Sequence, residues 1–208
     1  MLSVGQHAAV ADAIRAAESR SSGEIFCVVA RRSDGYFYPA ALVVALATLV
    51  ASLPAAVVLD RLWGAPPATL LVVAQLLSLA LAGALLAARP GLRLRMVPRA
   101  VKLRRAQDNA RRQFLARNIH RTTGRNGVLI FVSLAERYAE IIADAALDAR
   151  VDTAVWQDAV EALTAAAADD RLTDGLCAAV DRVGAVLAEH FPAAGRAVNA
   201  LPDHVAEI

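Results

Sequence analysis

Gly124-Arg125-Asn126-Gly127-Val128-Leu129-Ile130-Phe131-Val132-Ser133-Leu134-Ala135-Glu136-Arg137-Tyr138-Ala139-Glu140-Ile141-Ile142-Ala143 is the stretch whose reading decides the fold. It opens on a Gly/Asn turn signal and leads into residues 128–132, the most apolar and β-branched segment outside the two longest apolar runs. That segment is the expected central strand. Ser133 to Arg137 then allows a short reversal, and residues 138–143 are expected to pair beside the strand as a hairpin neighbour. Upstream, Glu24-Ile25-Phe26-Cys27-Val28-Val29-Ala30 has the unbroken apolar pattern of a strand covered on both faces.

Helical patterns surround these strands. Near the N-terminus Val4, Val10, Ile14 and Ala17 recur between charges, an amphipathic pattern without the apolar centre of a signal peptide. Pro98 can open a helix in which Leu103, Ala106, Ala110 and Phe114 share a face, leaving Arg104, Arg105, Arg111 and Arg112 to point elsewhere. Asp152 or Thr153 can cap a helix with an apolar stripe of Trp156, Val160, Leu163 and Ala167. A last helix shows Leu176, Val180, Val183 and Leu187, and Pro192 ends it. The tail, residues 193–208, has Gly195, Pro202 and scattered polar groups and is expected to be loosely ordered.

Residues 37–59 and 68–88 contain no charged side chain, and each run reaches the roughly 20 residues that a bilayer-crossing helix needs. Membrane spans are therefore expected in place of a buried pair of core helices. The link Asp60-Arg61-Leu62-Trp63-Gly64-Ala65-Pro66-Pro67 is too short for a domain, so the spans should form a tight hairpin with both chain ends on one side. Trp63 at the tip, and Tyr36, Phe37 and Tyr38 at the entrance, suit the membrane interfaces. Arg31 and Arg32 precede the first span, whereas Arg89, Arg93, Arg95, Arg99, Lys102, Arg104 and Arg105 follow the second. The hairpin tip has only Arg61, which makes the expected side of both termini cytoplasmic. Inside the spans Thr48, Ser52, Thr69, Gln75 and Ser78 are the polar residues, too few for a transport pathway. Gln75 and Ser78 are suited to joining helices, and Gly83 to close packing.

The formal net charge of +2 hides a polarity along the chain. Residues 89–125 carry twelve Lys or Arg and one acid, Asp108, whereas residues 126–208 carry fourteen Asp or Glu and five Arg. A basic stretch beside a span is expected to meet anionic lipid headgroups, and Arg104, Arg105, Arg111 and Arg112 are its lipid-facing candidates. Nucleic acid is not an expected partner, because no recognition motif or aromatic interleaving accompanies the charges. The acidic half reads as a solvated surface. Cys27 and Cys177 read as buried thiols rather than a disulfide.

Four blocks carry a family resemblance: Ser22-Gly23-Glu24-Ile25, residues 122–133 with Arg125-Asn126-Gly127 at their centre, Glu136-Arg137-Tyr138-Ala139-Glu140-Ile141, and His190-Phe191-Pro192 followed by Asn199-Ala200-Leu201-Pro202. They resemble the TPM-domain family, often labelled TPM phosphatase, in a bacterial membrane-anchored branch. The resemblance implies an α/β domain with a small mixed β-sheet between helices, here interrupted by a two-helix transmembrane hairpin. It divides the chain into residues 1–36 and 89–192 of the domain, the hairpin at 37–88 and a tail at 193–208. For location it implies a bacterial inner membrane. For function it implies either acid phosphatase or calcium-binding activity, or an assembly, repair or auxiliary role beside membrane complexes. Two departures matter: where many relatives carry Asp-Asn-Gly this chain has Arg125-Asn126-Gly127, and where they carry a Gly-rich turn it has Asp144-Ala145-Ala146.

Read on their own, Glu140, Asp144 and Asp148, with Asp152 next and Glu24 on the first strand, are candidate oxygen ligands for Ca2+ or Mg2+. Solvated charges and a helix cap explain the same acids more simply. Arg125 and Arg137 could grip a phosphate, although pairing with Glu136 or Glu140 explains them too. Asn126 and Gly127 suit a left-handed turn. His7, His120, His190 and His204 have no metal-ligand spacing, and neither a nucleophile elbow nor a phosphate loop is present. The expected function is an anchored interaction or auxiliary module with a membrane protein partner. The alternative is a divalent-metal-dependent phosphatase.

Overall fold

Strand β1 (Glu24–Ala30) runs parallel to β2 (Gly127–Ser133), in register from Glu24 opposite Gly127 to Ala30 opposite Ser133. Every residue of both strands is buried, which explains why neither shows an apolar/polar alternation. Hairpin partner β3 (Tyr138–Ala143) pairs antiparallel with β2, and β4 (Val205–Glu207) lies parallel to β1 on its other edge, giving the order β3-β2-β1-β4. These relations come from a computed structural model that describes residues 2–64, 68–122, 124–193 and 204–208. Pro66 and Pro67 of the link, the ring of Trp63, Thr123 and the Asn199–Pro202 block lie outside the described residues.

Helices cover both faces of this mixed sheet. On one side α1 (Val4–Glu18), α7 (Thr153–Ala168) and α8 (Leu172–His190) send Val10, Ile14, Leu163 and Val180 against Ile25, Cys27, Val29, Ile130 and Val132. On the other, Ala110 and Phe114 of α5 (Arg99–Ala116) pack on Phe26, Val28, Leu129 and Phe131. Helix starts follow local chemistry. Ser3 and Gln6 form a reciprocal capping box at α1, and the Asp152 carboxylate accepts from Ala154 N at 3.0 Å to open α7. The α1 pattern is rotated from the simplest reading, since Val4 is 89% exposed while Val10, Ile14 and Ala17 are buried.

The tail corrects an expectation. Its last residues are ordered as β4, and Arg31 N donates to Ile208 O at 2.8 Å while Ile208 N donates to Val29 O at 3.0 Å. Backbone bonding to an existing strand edge orders a segment that has no hydrophobic period of its own. Glu207 adds contacts to the N-terminus, accepting from Leu2 N at 2.7 Å and lying 3.2 Å from His7 Nε2.

By its internal packing the chain separates into two units, residues 1–33 with 103–208, and residues 34–102. The second holds α2 (Phe37–Trp63), α3 (Ala68–Ala88) and the short α4 (Pro90–Met96), a helix that the sequence pattern did not mark. Both long helices are long and apolar enough to cross a membrane, and their apolar side chains point outward, with Leu53 69% and Leu81 74% exposed. The hydroxyls of Thr48, Ser52 and Ser78 donate to carbonyls of their own helices, so Ser78 is not the expected interhelical link. At the base Tyr36, Ala40, Leu86 and Val97 form a small core, which puts Tyr36 inside protein rather than at an interface. Arg93 closes α3: its Nη2 donates to Ala87 O at 2.7 Å, and its guanidinium lies over the Phe37 ring at 5.4 Å.

Helices α1 and α8 pack tightly at Gly184, where an added Cβ would fall 2.5 Å from the Ala17 Cβ. Gly184→Ala is expected to destabilise the protein by about 1–3 kcal/mol through overpacking. Gly5→Ala, in α1 with nothing near its Cβ, should instead stabilise by about 0.5–1 kcal/mol. Denaturation midpoints of the two variants should therefore move in opposite directions, and a shift of the same sign would contradict this packing.

Candidate functional site

Polar side chains gather at the two ends of the β1–β2 pair. At the entry end Asn126, 3% exposed, donates from Nδ2 to Ser22 O at 2.8 Å and from its backbone N to Thr122 Oγ1 at 3.2 Å. The left-handed residue of this turn is Arg125, at φ 48°, rather than Asn126 or Gly127. Gly127 is required for a different reason: an added Cβ would lie 2.6 Å from the Ile119 carbonyl oxygen. Asn126 therefore acts as a tie between the two sequence pieces of the domain.

Asp144 lies at this same end, where β3 stops. Its backbone N donates to Gly127 O at 2.9 Å, and its carboxylate caps the four-residue helix α6 (Ala145–Asp148) by accepting from Ala145 N at 2.7 Å. Its second oxygen, Oδ2, is buried and has no hydrogen-bond partner among the described residues. Asp148 and Asp152 are exposed, the latter at the start of α7. Glu140 sits opposite Phe131 on β3, half-buried, and accepts from Tyr138 Oη at 2.9 Å. Burial pushes its carboxyl above the usual range, opposed by the Tyr138 and Gln107 hydrogen bonds and by Arg111. Burial and Glu140 likewise push the Tyr138 phenol up.

The structure does not bring Glu140, Asp144 and Asp148 together. Among the described residues no group of three or more His, Cys, Asp or Glu side chains is arranged to hold a metal ion. Three-carboxylate ligation of Ca2+ or Mg2+ therefore does not fit the residues as they stand. Arg125 and Arg137 flank opposite ends of β2, a seven-residue strand about 20 Å long, and form no shared phosphate clamp. Arg104, Arg105, Arg111 and Arg112 are all exposed on α5. At about 100° per residue they fall within one arc of about 120°, opposite Ala106 and Ala110. Arg111 also acts on Glu140 and Tyr138, which divides it between the surface and the sheet.

The exit end holds residues that sequence reasoning missed. Ser133, fully buried at the end of β2, donates to a Glu136 carboxylate oxygen and shares a hydrogen bond of 2.8 Å with Ser33 Oγ. Glu136, 9% exposed, also accepts from Ser33 N at 3.0 Å, so it turns inward instead of pairing with Arg137 on the surface. The available signal was a serine closing an apolar strand with an acid three residues on. Next to this network a cleft of about 370 Å³ opens between the β2–β3 turn and the end of α7, with Arg137 and Asp170 at its mouth.

Residues 87–186 match the family described as TPM domain. The segment matched to the TPM domain runs from the end of α3 through most of α8. A solved relative in fold is the BA42 protein from the psychrophilic bacterium Bizionia argentinensis sp. nov., determined by NMR. It is 18% identical with a TM-score of 0.62 over 100% of this chain and 96% of that one. No curated protein matches the chain.

Two measurements check this electrostatic description. Because burial raises the folded-state pKa of Glu140, its stabilising contribution is complete below the unfolded carboxylate value and is lost as pH rises through the higher folded value. Stability measured from pH 4 to pH 8 should fall less steeply in Glu140→Gln than in the parent, and an unchanged slope would contradict the assignment. Cys27 is fully buried with its thiol pushed far up by burial, whereas Cys177 is partly exposed with a smaller rise from the same cause. Alkylation followed by mass spectrometry should therefore label Cys177 first and Cys27 only on unfolding.

Proposed function

We propose that this chain is a TPM domain anchored in a bacterial inner membrane, acting as an interaction or auxiliary module at the cytoplasmic face. The observation that supports the reading is the outward-facing apolar surface of α2 and α3. Two helices with charge-free stretches of 23 and 21 residues (37–59 and 68–88), most of whose leucines and valines lie outside any protein core, need a hydrocarbon solvent. Their flanks fit the same reading. Arg31, Arg32, Arg89, Arg95 and Arg99 are exposed on the terminal side, the arrangement that retains termini in the cytoplasm.

Arg104, Arg105 and Arg112 extend that charge along α5, with Leu115 exposed between them, a surface suited to anionic headgroups. The acids Asp158, Glu161, Asp174 and Asp181 are exposed on α7 and α8 and offer a separate surface to a membrane protein partner. In an interaction module the buried carboxylates serve the fold, as Glu136 does, and need not converge on a substrate.

One observation favours a metal-dependent phosphatase as the second reading: the buried, unpartnered Oδ2 of Asp144. Hydrolysis of a phosphomonoester by the purified chain, with and without Ca2+ or Mg2+, separates the two. Turnover at background level is the expected result. Metal-dependent turnover abolished by Asp144→Ala would establish the phosphatase instead.

The anchored reading also predicts that the chain resists extraction by alkaline carbonate and that a C-terminal tag is cleaved by protease only in inverted vesicles. Replacing Arg104, Arg105, Arg111 and Arg112 with Gln in a chain lacking residues 37–88 should weaken binding to anionic vesicles by at most about 1 kcal/mol per arginine. Unchanged vesicle binding would remove the lipid-facing role while leaving the anchor in place.

A further inference from the structure

We propose that the cleft between the β2–β3 turn and the C-terminal end of α7 binds a free apolar α-amino acid. Its size sets the scale of the ligand. At about 370 Å³ it lies near the lower limit of small-molecule sites, too small for a nucleotide cofactor and adequate for an amino acid of leucine or phenylalanine size.

Its walls set the apolar part. Val132, Leu163 and Ala139 line the interior, and the nearby hydroxyls are already committed: Thr164 Oγ1 donates to Val160 O at 2.7 Å, and Ser133 to Glu136. A hydrocarbon side chain entering there leaves no buried polar group newly unsatisfied, whereas a polar side chain would find no free partner.

The mouth sets the charged part. Arg137 comes from the β2–β3 turn and Asp170 from the α7–α8 turn, both exposed and both lining the cleft. Neither side chain has an ion-pair or hydrogen-bond partner among the described residues, although neighbouring Asp169 is paired with Arg171 at 3.6 Å. Both hold left-handed backbones, φ 50° for Arg137 and 59° for Asp170, conformations retained at some cost in non-glycine residues. The C-terminus of α7 adds partial negative charge on the Asp170 side. A cation and an anion, each without a partner among the described residues and both lining one largely apolar cleft, match a carboxylate and an ammonium on the same small molecule. A phosphate is disfavoured, because Asp170 would repel it and Arg137 is the one cation lining the cleft among the described residues.

The test is saturation-transfer NMR on the full chain in lipid nanodiscs, with L-leucine, L-phenylalanine, L-aspartate and N-acetyl-L-leucinamide as probes and empty nanodiscs as background. Leucine and phenylalanine should show transfer at millimolar concentration, and aspartate and the doubly blocked leucine should not. Arg137→Gln and Asp170→Asn should each weaken binding by about three- to tenfold. Ala167→Phe, which fills the cleft from partly exposed α7, should abolish it. Thermal melting confirms that each variant is folded, and Ala168→Phe replaces Ala167→Phe if the latter is not. Absence of transfer from any free amino acid would overturn the proposal. So would equal binding of the blocked leucine, which would make the cleft a seat for an internal side chain of a peptide, and so would leucine binding that survives filling of the cleft.

Discussion

Parallel pairing of β1 with β2 is the constraint on which the rest of the domain depends. Seven residues of each strand are buried on both faces, and the partners lie about a hundred positions apart in the chain. A slip of one residue would move Phe26, Val28, Leu129 and Phe131 from the α5 side to the α1 and α8 side, exchanging two packed cores at once. Polar clips at each end hold the register. Asn126 ties to Ser22 where the strands begin, and Ser133 and Glu136 tie to Ser33 where they finish. These buried groups stabilise by fixing which residues face each other as well as by their bonds, since an unmade partner would cost the desolvation of an amide or a carboxylate.

Because parallel strands require a long crossover, the domain can accept an insertion there without breaking a hairpin. The chain leaves this unit after Ser33 and returns at Leu103, and what lies between has its own small core around Tyr36, Ala40, Leu86 and Val97. Arg93 shows the consequence for charge. It is spent on the last carbonyls of α3 and on the face of Phe37, and Arg111 is drawn toward Glu140 and Tyr138. Twelve basic residues in sequence thus correspond to fewer that stay wholly at the surface.

Much of this fold was legible because its main signals are local. Val128 to Val132, Ile25 to Val29 and the two long apolar runs carry their burial in composition alone, and Asp152 and Pro98 mark helix starts by backbone chemistry. What was illegible is non-local. Val205–Glu207 is a strand because an edge of β1 is available to it, α4 is too short to show a period, and Tyr36 reads as an interface aromatic until Leu86 and Val97 fold over it. The site followed the same division. Asp144 could be read as a cap or a ligand, and only the structure shows one oxygen capping α6 while the other has no partner among the described residues. The cleft was invisible because it joins a turn near residue 137 to one near residue 170.

The two ends of the sheet differ in how their polar groups are satisfied, and that difference bears on function more than the number of acids does. At the exit end Ser133, Ser33 and Glu136 bond one another, beside an apolar cleft whose charged lining among the described residues is Arg137 and Asp170, both exposed. Such an arrangement costs little in the unliganded state, since Arg137 and Asp170 remain hydrated, and it gains when a ligand brings complementary charge together with a hydrocarbon group. At the entry end Oδ2 of Asp144 is buried with no hydrogen-bond partner among the described residues, and leaving a buried polar atom unbonded is costly. Chemistry on a phosphate would need several such groups to converge, whereas binding needs only the satisfied walls and opposed charges that the exit end already has.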